Sequence, residues 1–210
     1  MKTKLSLIVL PMILLSGCTK IMLYHFGVRN PKVENKEQIE YYLKKNKLIA
    51  ENCYALKDTS ALNNFNNGTI GIPEIRFYDK NGYLMLYRDN KKCNTQNDSL
   101  ISFLDPKNIV KIDSSNKIND YIKELKTLDG KEINNNQFKQ YDYYLIMYWA
   151  KWTGQVNSKK MTDWESSLKQ KSDLKIKTIK VTTDYMDFWE LNKKDIAKVY
   201  SRKTKVKDKK

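Results

Sequence analysis

Apolar and polar positions alternate between two periods along this chain, and each period predicts an element. The densest apolar run comes first: Leu5 through Leu15 carries no charge. Between residues 34 and 46, Ile39, Tyr42 and Leu43 share one face among charged neighbours, which predicts a helix. Asn52-Cys53-Tyr54-Ala55-Leu56 predicts a short strand, and an Asn-rich helix or loop is expected to follow it to Asn67. The runs Glu74–Tyr78 and Tyr83–Arg88 flank Asp79-Lys80-Asn81-Gly82. Asn-Gly between two apolar runs predicts a hairpin, because a tight turn needs residues that accept positive φ. Leu100, Ile101, Phe103 and Leu104 predict a helix that ends before Pro106.

The second half opens with a polar connection over residues 106–117. Ser115 is expected to cap a helix whose apolar face holds Ile118, Tyr121, Ile122 and Leu125. Asp129-Gly130-Lys131 reads as a turn. Tyr143 through Ala150 holds eight residues without a charge, the pattern of a central parallel strand covered on both faces. Residues 158–170 predict a helix, with Met161, Trp164 and Leu168 on one side. Leu174 through Val181 predicts a strand. Its interleaved Lys175, Lys177 and Lys180 suit a sheet edge. A short helix is expected near Ile196 to Tyr200. Helices and strands thus alternate, and the expected class is α/β.

The first twenty residues add a different kind of information. Lys2 and Lys4 precede the apolar run, which is too short to span a bilayer, and small residues lead to Cys18. This is the layout of a secretory signal peptide over residues 1–17. Leu15-Ser16-Gly17-Cys18 resembles the lipobox of bacterial lipoproteins. The resemblance implies that the Cys18 thiol accepts a diacylglyceryl group before cleavage and that the new amino end is then acylated. Several acyl chains on one residue give stable anchoring, where one chain is marginal. The expected location is the bacterial cell envelope, at the outer membrane if the cell has one, since Thr19 rather than Asp follows the cysteine.

Charge changes the picture little. Cleavage takes Lys2 and Lys4 from a net charge of +15, leaving +13 on 193 of the 210 residues. That length allows one domain with a sizeable core, or two small ones. The lysines are scattered among asparagines, except in residues 201–210, which are expected to form a disordered basic tail. Secretion argues against nucleic acid as a partner. His25 is the single histidine, so neither a His-based metal site nor a Ser-His-Asp triad has material, and no metal or cofactor is expected. With Cys18 lipidated, Cys53 and Cys93 remain, either as a disulfide or as separate thiols. The acidic residues show no spacing that selects a catalytic pair.

One further resemblance is carried by Leu128-Asp129-Gly130-Lys131-Glu132-Ile133, Phe138-Lys139, the run Tyr144–Trp152, Trp164, Val181-Thr182-Thr183-Asp184 and Trp189. These segments resemble the membrane-anchored thioredoxin-like thiol–disulfide oxidoreductases, whose central strand ends in Trp-Ala-x-Trp. The family's Cys-x-x-Cys motif follows that strand. Here the four positions are Thr153-Gly154-Gln155-Val156. In the family, the first cysteine sits at a helix N-terminus that stabilises its thiolate, and the second resolves the mixed disulfide. Thr153 and Val156 can do neither. A second departure is order: Gly71-Ile72-Pro73 through Tyr83 resembles the family's cis-proline, strand and turn, but precedes the central strand. For Ile72-Pro73 itself, cis and trans both stay open.

The resemblance therefore implies a thioredoxin-like mixed sheet flanked by helices, either rearranged by permutation or made of two incomplete halves. In the rearranged form, the strands before and after Pro73 flank residues 143–150. The expected organisation is a lipid-anchored tether (18–33), an N-terminal half (34–105), a C-terminal thioredoxin-like half (106–200) and the tail. Three functions compete. The first is a redox-inactive protein- or peptide-binding or scaffolding lipoprotein, with Trp152, Thr153, Gln155, Val156, Ile72 and Pro73 lining a groove. The second is a redox protein using Cys53 and Cys93. The third is a carboxylate enzyme. The first is preferred, and catalysis is not expected.

Overall fold

The computed structural model describes residues 24–68, 71–86, 104, 111–134, 141–171, 173–192 and 194–195. In chain order the elements are β1 (Val33–Glu34), α1 (Lys36–Lys45), β2 (Cys53–Leu56), α2 (Thr59–Gly68), β3 (Glu74–Asp79), β4 (Tyr83–Leu86), β5 (Lys111–Lys117), α3 (Ile118–Ile122), β6 (Leu125–Thr127), β7 (Tyr143–Trp149), α4 (Gln155–Lys169), β8 (Ile176–Thr182) and β9 (Tyr185–Met186). The fold is α/β: a mixed seven-stranded sheet in the order β5-β4-β3-β7-β8-β2-β6, flanked by helices. It is compatible with a thioredoxin-like architecture. β1 and β9 form a separate parallel pair.

Local chemistry explains the starts and turns. Asn35 caps α1 reciprocally: its side chain accepts from the Gln38 N–H (2.9 Å), and the Gln38 side chain accepts from the Asn35 N–H (3.0 Å). In the β3–β4 turn, Asp79 Oδ1 accepts from the N–H groups of Asn81 and Tyr83. Gly82 sits there at φ +78°, and a Cβ on it would come within 2.7 Å of Ile118 Cγ2. Glycine is required on both counts.

The uncharged run of β7 becomes the centre of the sheet because its two faces both meet apolar layers. Leu145, Met147 and Trp149 point to one face, under Ile39 and Leu43 of α1 and Met161 and Trp164 of α4. Tyr144, Ile146 and Tyr148 point to the other, with Ala61, Leu62 and Phe65 of α2 and Ile118 and Ile122 of α3. Each fully buried aliphatic side chain here contributes about 1.5–3 kcal/mol.

Several expectations change. β7 is parallel to β8 but antiparallel to β3, so the central strand is mixed in its pairing. β3 flanks β7 as expected, whereas β2 does not. β8 stands between β2 and β7, because the crossover through α4 returns the chain beside β7. β8 is therefore interior, not an edge; Lys180 on it is 2 % exposed and paired with Glu165 of α4. The polar stretch before Ile118 is a strand, β5, paired with β4. Ser115 lies within β5, so it caps nothing, and Leu125 belongs to β6 rather than to α3. Strands from both halves interleave in one sheet. Of the helix expected over residues 100–104, only Leu104 is described, and Phe138-Lys139, the helix near Ile196 and the tail lie outside the described residues.

Candidate functional site

The C-terminal end of β7 carries the positions marked by the sequence. After Ala150 the chain makes a 3₁₀ turn, Lys151–Thr153, passes Gly154, and enters α4 at Gln155. Thr153 is buried, and its hydroxyl donates to the Ala150 carbonyl at 2.8 Å. The Asn157 side-chain amide donates to the same carbonyl. Trp152 is half-buried, while Gln155 and Val156 are exposed. Pro73 is buried and Ile72 half-buried, and the bond between them is cis. The β3–β7 register, continued by one and two residues, sets Pro73 level with Trp149 and Ile72 level with Ala150. Proline and turn thus occupy the same end of the sheet.

That end is roofed by the chain's own lead-in. Arg29 N–H donates to the Trp152 carbonyl (2.8 Å), and Gln155 N–H donates to the Phe26 carbonyl (2.9 Å). The Tyr42 hydroxyl donates to the Gly154 carbonyl (2.9 Å). Gly154 has φ +62°, and a Cβ on it would lie within 2.5 Å of the Gly27 carbonyl carbon and oxygen. Only glycine lets the two backbones approach so closely. Any other occupant of this position has to displace residues 26–29 or approach from the Val156 side.

Beneath the roof lies a polar cluster. Lys151 Nζ pairs with Glu34 Oε2 at 2.5 Å, tying β1 to the turn. Asp184 Oδ2 accepts from Lys151 N–H and from the Thr182 hydroxyl, both at 2.7 Å. Burial, with the Glu34 charge adding to it, pushes the Asp184 carboxyl up from 3.8 to about 6. Burial likewise pushes the Tyr42 phenol up to about 12. None of these groups is a nucleophile paired with a base.

The described thiol is no better placed for redox chemistry. Cys53, on β2 opposite Lys180, is a free thiol that burial pushes up to about 12. It stays protonated at neutral pH, which makes it inert towards disulfides. Cys18 and Cys93 lie outside the described residues. Among the described residues, no group of three or more His, Cys, Asp or Glu is placed to hold a metal, and no helix is long and apolar enough to cross a membrane.

A cavity of about 650 Å³ opens on the α2–α3 face of the sheet. Arg76 sits in its wall. The guanidinium pairs through Nε with Glu74 (2.9 Å) and lies 5.1 Å from the ring centres of Tyr121 and Tyr148 and 5.6 Å from that of Phe65. Burial works against the Arg76 charge, but the Tyr148 phenol and the hydrogen-bonded Glu74 carboxylate outweigh it and hold the guanidinium well above its ordinary value. Leu84, Met85 and Leu86 supply apolar wall, and Asp113, Asp120 and Glu124 line it as well. Sequence reasoning passed over this site. The available signal was Glu74-x-Arg76, two charges on the same face of a predicted strand beside an apolar run.

The chain matches no family model, no curated protein and no solved structure.

Proposed function

We propose that this chain is a lipid-anchored protein of the bacterial envelope whose thioredoxin-like domain lacks dithiol chemistry and binds a protein or peptide partner. The observation that carries the reading is the end of β7. β7 ends at Trp149, and the 3₁₀ turn Lys151–Thr153 leads into α4, with β3 of the hairpin antiparallel on one side of β7 and β8 parallel on the other. The residues standing at the thiol positions are Thr153, whose hydroxyl is bonded to Ala150, and Val156. Neither can form a thiolate or a disulfide.

The lead-in covers the turn itself, so the cavity over Arg76 is the better contact surface. It combines apolar wall, three aromatic rings and a buried charge pair, the mix that fixes and orients a ligand. The redox alternative loses support from the protonated, partly covered Cys53.

The test uses the full chain in its native envelope. A photo-cross-linking residue at Asn64 or Leu86, on the cavity wall, is expected to trap a discrete adduct. The same group at exposed Lys123 is the control, and equal yields at all three sites overturn the binding reading. Labelled palmitate entering the wild type but not Cys18→Ala supports the anchor. Insulin-disulfide reduction above background would overturn the redox-inactive assignment.

A further inference from the structure

The lead-in does more than close the turn, because its outer surface is apolar and basic. Tyr24 is 68 % exposed, Phe26 41 % and Val156 44 %. Exposed rings on a mobile tail would mean little, but these are fixed. Gln155 N–H holds the Phe26 carbonyl, Arg29 N–H holds the Trp152 carbonyl, and Gly27 N–H closes a turn on the Tyr24 carbonyl at 3.0 Å. Phe26, Val156, Lys159 and Lys160 line one depression together with a single acidic residue, Asp163. The Arg29 guanidinium lies 4.5 Å from the centre of the Tyr24 ring. In sequence, residues 19–33 hold Lys20, Arg29 and Lys32 and no acidic residue.

The length of chain before this patch selects its occupant. Tyr24 is six residues from Cys18, and six residues span at most about 20 Å fully extended. A lipid on Cys18 therefore keeps the patch within about 20 Å of the bilayer surface. Aromatic side chains with arginine and lysine around them suit the headgroup boundary, where rings insert and cations meet anionic lipid.

We infer that Tyr24, Phe26 and Val156, with Arg29, Lys159 and Lys160, form a docking surface for an anionic bilayer, so that the end of the sheet bearing Thr153 faces the membrane. The inference rests on the lipid-anchor reading. It orients the domain: the Asp79–Gly82 turn, one six-residue strand away, stands about 20 Å further out.

The experiment uses the full chain, purified from cells and floated with vesicles of phosphatidylcholine and phosphatidylglycerol carrying bromine on their acyl chains. Bromine quenches nearby tryptophan. Phe26→Trp, Val156→Trp and, as the outward control, Asn81→Trp are each compared with the unsubstituted protein. All three sites are exposed, so the fold tolerates the change. The added tryptophan at 26 or 156 is expected to be quenched at least about twice as strongly as at 81, since interfacial side chains sit ~5–10 Å into the headgroup boundary. Equal quenching at the three sites in floated protein overturns the docking surface and leaves the anchor intact. Protein that does not float overturns both. Quenching at 26 and 156 that is the same in vesicles of pure phosphatidylcholine removes anionic lipid from the inference.

Discussion

Replacing Asp184 by Asn should make the protein's stability less sensitive to pH, and the size of the effect follows from the geometry. Asp184 is 1 % exposed. Oδ2 accepts two hydrogen bonds, from Lys151 N–H and the Thr182 hydroxyl, whereas Oδ1 has no hydrogen-bond partner among the described residues. Lys151 reaches Asp184 through its backbone N–H, while its Nζ is committed to Glu34. The folded protein thus holds the Asp184 proton to about pH 6, while the unfolded chain releases it near 3.8. Because the folded value is raised, the group's stabilising protonation is fully present below pH 3.8 and is lost as pH rises to 6. The whole change is on the order of 3 kcal/mol, and about 2 kcal/mol of it falls between about pH 4.5 and about pH 7.5.

Asparagine keeps the shape and both accepted bonds and cannot ionise. It places an N–H₂ where Oδ1 was unpaired, which costs about 1 kcal/mol at every pH. The readout is therefore the change in offset between variant and wild type, measured by urea unfolding at the two pH values. The variant should gain about 2 kcal/mol on the wild type between the lower and the higher pH. Carboxylates that do not act on Asp184 titrate equally in both proteins and cancel; Glu34→Gln in both backgrounds removes the one that does. An offset that stays constant would refute the claim that Asp184 is ionised at a cost.

Gly154→Ala should lower stability by at least about 1–3 kcal/mol, since only glycine tolerates its backbone angles and a Cβ meets Gly27; a lower Tm with faster proteolysis near residues 24–34 is the expected pattern. Glu165→Ala leaves Lys180 buried and unpaired and should cost about 3–5 kcal/mol, with Lys180→Met in the same chain recovering much of it by urea unfolding. Cys53 should react with a thiol reagent at about pH 8 at least tenfold more slowly in the folded protein than in urea, because burial holds its proton to about 12. Equal rates would show that the thiol is not held protonated by the fold.

Local periodicity and turn chemistry were enough to place most elements. The alternation of Tyr144, Ile146 and Tyr148 against Leu145, Met147 and Trp149 marks a strand covered twice, and Asn81-Gly82 marks the hairpin, because both signals act over a few residues. That residues 153–156 carry no dithiol is legible as well, since Thr153 and Val156 are chemical identities. What the sequence could not decide depends on contacts between distant residues. Interleaved lysines read as an edge, yet β8 is interior because Glu165, fifteen residues away, neutralises Lys180. The polar β5 forms only because β4 offers it an edge. Arg76 becomes part of a cavity wall only when α2, α3 and β7 bring Phe65, Tyr121 and Tyr148 around it. A tether drawn from composition becomes a roof because Gly27 and Gly154, far apart in the chain, let two backbones touch. Burial, pairing and close approach are properties of neighbours in space, and folding alone chooses those neighbours.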